Sequence, residues 1–210
     1  MRRLTVVFGI CVLFLIATAA YGQQVDIAIG AGTVSAPPSN FNSVTSSLEQ
    51  SLRGGTFLTI SGDALIHKSM GIEGEISWRT SRNLYGGAIP YRPLFWDFNG
   101  IYAPRFNKFI GAELMAGIGA FSSRFYTGQY NCSYFGGCTN YTSFNHFMGD
   151  FGGGVRLYPM GNFFVRPEAR LYLINGVTNQ SPGQPTFSSG HAVRYGISIG
   201  YSFGGRSFFP

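Results

Sequence analysis

The stretch Val193-Arg194-Tyr195-Gly196-Ile197-Ser198-Ile199-Gly200-Tyr201-Ser202-Phe203 decides the fold. Val193, Tyr195, Ile197, Ile199, Tyr201 and Phe203 are apolar, and between them stand Arg194, Gly196, Ser198, Gly200 and Ser202. A strand sends alternate side chains to opposite faces. This run therefore presents one continuous apolar band and one small, polar, once-charged face. A transmembrane β-strand needs about 9–11 residues, which is the length of this run.

Seven further runs carry the same alternation, at 25–31, 55–64, 70–79, 94–102, 109–121, 144–158 and 163–174. In the third, Met70, Ile72, Ile76 and Trp78 alternate with Gly71, Glu73, Glu75, Ser77 and Arg79. In the seventh, Val165, Pro167, Ala169, Leu171 and Leu173 oppose Arg166, Glu168, Arg170 and Tyr172. The second is the least regular, with Thr56, Leu58 and Ile60 against Phe57, Thr59, Ser61 and Asp63. The connections alternate in length: long at 32–53, short at His67-Lys68, medium at 80–92, short at 103–107, long at 122–142, tight at 159–162, and medium-long at 175–190. Outer-membrane barrels pair short periplasmic turns with longer external loops in this way.

Composition agrees with many short strands. The 210 residues include 30 glycines and 16% aromatics, and only 11% are charged, against about 25% in a typical soluble domain. Met1-Arg2-Arg3, the apolar residues 4–20 and Ala20-Tyr21-Gly22 read as a secretory signal peptide over 1–22, leaving a mature domain of 23–210. Without Arg2 and Arg3, thirteen basic residues face nine acids, a net charge of +4. No Lys/Arg run exists, so no nucleic-acid partner is expected. With Cys11 in the signal, Cys132 and Cys138 remain, flanking Ser-Tyr-Phe-Gly-Gly. In an exported chain such a pair suggests a disulfide; two free thiols or a metal pair are the alternatives. With no other cysteine, and no histidine nearer than His146, neither a metal nor a cofactor is expected.

The charges within the strands share one face: Asp26, Glu73, Glu75, Asp97, Glu113, Asp150 and Glu168, with Arg79, Arg156, Arg166, Arg170 and Arg194. Alternation alone does not say which face is inward, and a soluble barrel would reverse them. The signal peptide, strand lengths and loop asymmetry place the apolar faces outward. Eight strands enclose a lumen that side chains fill, so these charges are expected to pair as a polar plug. Tyr102, Phe109, Tyr158, Phe163, Tyr201 and Phe203 are expected in one interfacial aromatic girdle, and Trp78, Trp96, Phe144 and Phe147 in the other.

On the signal peptide, the eight amphipathic runs, Arg166-Pro167-Glu168-Ala169-Arg170 and the terminal Gly196–Phe203 segment, the chain resembles the OmpA-like/opacity-type outer-membrane β-barrel domain family over 23–210. The resemblance implies an all-β fold, a closed antiparallel eight-stranded up-and-down transmembrane β-barrel, in the outer membrane of a diderm bacterium. Gly196, Ile199, Tyr201 and Phe203 also resemble the signal read by the barrel-assembly machinery, although residues 204–210 continue past it.

The expected function is non-catalytic, an envelope or surface-interaction role with a plugged lumen and an unknown surface ligand. A narrow porin-like channel for ions or small solutes is the alternative. An outer-membrane lipid-modifying enzyme is a third: His67-Lys68-Ser69 resembles the His-x-Ser of a lipid A deacylase, but it falls in a periplasmic turn. Arg53, Arg82, Arg92 and Arg124 lie near external strand ends. They are expected to meet lipopolysaccharide phosphates, since guanidinium suits bidentate phosphate contact; ordinary loop charge is the alternative.

Overall fold

The computed structural model describes residues 24–42, 47–67, 69–133, 137–178 and 185–204. The expected signal peptide, Lys68 and the tail beyond Gly204 lie outside them. The elements are β1 (Gln24–Ser35), β2 (Asn40–Asn42), β3 (Ser47–Glu49), β4 (Thr56–His67), β5 (Met70–Arg79), β6 (Asn83–Tyr85), β7 (Ile89–Tyr102), β8 (Ile110–Ser133), β9 (Gly137–Met160), β10 (Phe163–Ile174) and β11 (His191–Phe203).

The main sheet runs β5-β4-β1-β11-β10-β9-β8-β7-β6, and β5 pairs with β7 to close a ring of eight antiparallel strands. β6 extends β7 beyond β5, through Tyr85↔Ile89. Strand β11 pairs with β1 from Val25↔Phe203 to Ser35↔Val193, so the stretch 193–203 seals the ring. Closure removes the free edges that an open sheet would present. The ends carrying the short turns are called periplasmic and the opposite ends external, following the outer-membrane arrangement.

The apolar faces point outward. Ile29, Phe98, Ile118, Phe151 and Ile199 are each between 59% and 67% exposed, while all eight carboxylates on the opposite faces are 8% exposed or less. A water-soluble barrel would show the reverse.

The main departure from the sequence reading concerns β8 and β9. Residues 122–133 and 137–142 are paired strand, not an irregular connection. The ladder continues through Arg124↔Ser143 and Tyr126↔Tyr141, shifts register between Tyr126 and Asn131, and ends at Cys132↔Cys138 and Ser133↔Gly137. Beyond the apolar belt a strand no longer needs an apolar face, so the alternation fades while the backbone pairing continues. This ribbon outruns both neighbours, because β7 pairs with β8 only as far as Tyr91↔Phe125 and β10 with β9 only as far as Ile174↔Met148.

Candidate functional site

Inside the ring, four arginines climb from the periplasmic to the external side. Arg156, on β9, bonds Asp26 and Glu113, and its Nη2 lies 2.6 Å from Asp63. Arg166, on β10, donates from Nη1 to Glu113 at 2.6 Å and reaches Glu168 at 2.9 Å through Nε. Four residues on, Arg170 touches five carboxylates: Glu73 at 2.5 Å, Glu75 at 2.8 Å, Asp150 at 3.2 Å, Asp97 at 3.5 Å and Glu168 at 3.8 Å. Arg194, on β11, completes the ladder with Glu168 at 2.6 Å and Glu75 at 2.7 Å. Shared carboxylates link each arginine to the next. Gly152 makes room for it: a Cβ there would stand 2.9 Å from Arg170 Cγ and 2.8 Å from the Ala169 carbonyl oxygen.

Asp63 belongs to this ladder and is absent from the charges expected of the lumen. Its place on the Phe57-Thr59-Ser61 face of β4 is the signal that could have found it, blurred by the weak contrast of that strand. Arg79 departs from expectation in the other direction. It is buried and points inward, but it makes none of the ion pairs found among the described residues. It stands opposite Phe57, four residues external to Glu75, or about 13 Å along the strand, above the reach of the acids.

Arg79 lies at the level of a second filling, which is aromatic. Phe57, Tyr91, Phe95, Phe121, Phe125 and Tyr172 pack as one buried cluster, with Leu52 and Phe187 supplied by the first and last external connections. Phe95 stacks on Tyr172 with centroids 4.6 Å apart, and Phe121 meets Phe187 edge-on at 5.3 Å. Tyr91 Oη donates to the Ser51 carbonyl at 3.2 Å, which ties the first connection down. Phe144 packs against this cluster and Tyr158 is buried beside Phe164 at the periplasmic end. Neither belongs to an outward girdle: both fall on inward positions of β9, in phase with Asp150 and Arg156.

On the outer wall, Arg92 and Arg124 sit directly across from one another on β7 and β8. Arg82 lies over the Tyr126 ring at 3.8 Å, Arg92 reaches the same ring at 6.0 Å, and Arg124 lies 5.1 Å from the Tyr141 ring. Arg53 is not part of this group; it stands on the segment leading into β4, two ring strands away from β7. At the hairpin tip, Cys132 and Cys138 are disulfide-bonded.

His67 and Ser69 flank the β4–β5 turn at the periplasmic end. His146 stacks on Phe121 at 6.1 Å, and His191 Nδ1 lies 2.8 Å from Ser189 Oγ. No group of three or more His, Cys, Asp or Glu among the described residues is arranged to hold a metal ion. Of the residues resembling an assembly signal, Ile199, Tyr201 and Phe203 share the outward face of β11 and Gly196 faces inward.

No family model and no curated protein sequence matches the chain. Solved structures do. Neisserial surface protein A superposes with a TM-score of 0.57 at 11% identity, over 86% of this chain and 96% of that one. A major outer membrane protein from Thermus thermophilus gives 0.54 at 11% identity, over 86% and 99%. The attachment invasion locus protein of Yersinia pestis, in complex with the heparin analogue sucrose octasulfate, gives 0.51 at 12% identity, over 86% and 99%. The fold is therefore that of the eight-stranded outer-membrane barrels, as the resemblance implied.

Proposed function

We propose that this outer-membrane β-barrel is a closed, non-catalytic envelope protein that works through its external surface and carries no solute through its lumen. The observation behind this reading is the continuous filling of the ring. Tyr158 and Phe164 close the periplasmic end, the arginine–carboxylate ladder occupies the middle, and the aromatic cluster with Leu52 and Phe187 closes the external mouth. A conducting path would have to cross both a packed aromatic layer and paired charges.

The external surface is built for contact. The described parts of the β8–β9 ribbon, 122–133 and 137–147, are rich in Tyr, Ser, Asn, Thr and Gly and hold one arginine and one histidine. Such side chains supply rigid aromatic area and adaptable hydrogen bonding in recognition surfaces. The position of His67 and Ser69 in a periplasmic turn, away from this surface, supports a role without lipid chemistry. The same reading makes Gly196, Ile199, Tyr201 and Phe203 the contact for the barrel-assembly machinery. It also makes the chain a resident of lipopolysaccharide-bearing membrane.

Single-channel recording in planar bilayers tests the central point. Purified, heat-modifiable protein is expected to give no stepwise conductance in molar KCl. Reproducible ohmic steps would replace this reading with that of a narrow channel.

A further inference from the structure

Like charges placed directly across an antiparallel pair destabilise it. Arg92 and Arg124 are nevertheless such a pair, and Arg82 is folded onto the same patch through Tyr126. Eight of the nine acids in the chain lie buried in the lumen, and none of the ion pairs among the described residues includes Arg82, Arg92 or Arg124.

The three guanidiniums are held in place. Arg92 Nη2 donates to the Thr80 carbonyl at 3.1 Å, fixing the loop that carries Arg82. Tyr126 and Tyr141, 6.0 Å apart, form an aromatic floor under Arg82 and Arg124. Donors fixed in this way, and standing outside those ion pairs, match an anion with several acceptor oxygens.

The height of the patch narrows the source. Arg92 shares the outward face of β7 with Leu94, Trp96 and Phe98, of which Trp96 and Phe98 are exposed. It stands two residues external to Leu94, about 7 Å along the strand. That is where an apolar belt gives way to headgroups.

We infer that Arg82, Arg92 and Arg124, floored by Tyr126 and Tyr141, form a site for phosphate monoesters on the outer wall, occupied by the phosphorylated headgroup of an outer-leaflet glycolipid. The inference rests on the outer-membrane reading above and narrows the four arginines considered from sequence to three, excluding Arg53.

The test measures binding of the full chain, folded into vesicles, to fluorescent bisphosphorylated lipid A and to its dephosphorylated counterpart, with millimolar inorganic phosphate as competitor. Arg92→Gln/Arg124→Gln is expected to weaken binding of the phosphorylated lipid by about tenfold or more, from the loss of two charge-assisted donors. Arg82→Gln, in a turn where folding is not at stake, should weaken it severalfold, and Arg53→Gln should leave it unchanged. Equal affinity for the two lipids, or wild-type binding by Arg82→Gln and by the double variant where it folds, overturns the site. Full displacement by inorganic phosphate overturns the lipid as its source. A barrel that inserts and stays silent in bilayers while binding both lipids equally would lose this site and keep the proposed function; a chain that does not enter vesicles would lose both.

Discussion

Below Tyr172 the lumen holds eight carboxylates and four guanidiniums in one linked ladder; above it, Phe57, Phe95, Phe121, Phe125 and Phe187 pack as the interior of a soluble protein does. The two halves differ in how they tolerate loss. Ion pairs are directional and shared, so one missing arginine weakens several carboxylates at once, and loss of Arg170 leaves Asp97 and Asp150 with no ion pair among the described residues. Aromatic packing is local, so a missing ring leaves a cavity whose walls can partly relax. The ionic half should therefore fail as a unit and the aromatic half piecemeal.

The sharpest way to break that comparison is Arg170→Met. It removes the contact to five carboxylates while keeping much of the side-chain volume, and should cost about 5 kcal/mol of stability, at the upper end for an orphaned buried charge. Urea unfolding of the heat-modifiable form in vesicles measures it. Phe95→Ala should cost less, about 3–4 kcal/mol from lost burial and cavity, by the same method. If Phe95→Ala proves the more damaging, the ladder is not the stronger half. The smallest effect belongs outside both halves. Cys132→Ser/Cys138→Ser opens only a short covalent loop at a hairpin tip beyond the ring, and should lower the global unfolding free energy by about 2 kcal/mol at most. Chymotryptic cleavage near Tyr130, which is 71% exposed, should nevertheless accelerate. A large shift in global unfolding would mean that the ribbon is coupled to the lumen.

The ionic half is legible from residue order because an acid or arginine between apolar neighbours marks its face without ambiguity. Glu73, Glu75, Arg166 and Arg170 are assignable in this way, and each lies in an ion pair of the lumen. The aromatic half is not legible. Phenylalanine and tyrosine suit both a lipid-facing belt and a dry interior, so Phe144 and Tyr158 read as girdle residues and yet face inward. Arg79 shows the complementary limit: parity puts it on the inward face, but its height puts it among rings rather than acids. The β8–β9 ribbon is hidden for a third reason. Its pairing is carried by backbone bonds, which leave no periodic trace once neither face must be apolar. The arginine patch needs three dimensions, because the turn that carries Arg82 folds back over β7.

The disulfide at the ribbon tip bears on the order in which the molecule is made. In the proposed topology Cys132 and Cys138 lie on the far side of the bilayer from the periplasm, where thiol oxidation of exported chains is driven. Only six positions separate them, so the two thiols can meet in the unfolded chain without any barrel to align them. The bond would then form before insertion, and the apparatus that folds the barrel would receive a chain already carrying a small covalent ring, which must cross the membrane as a loop.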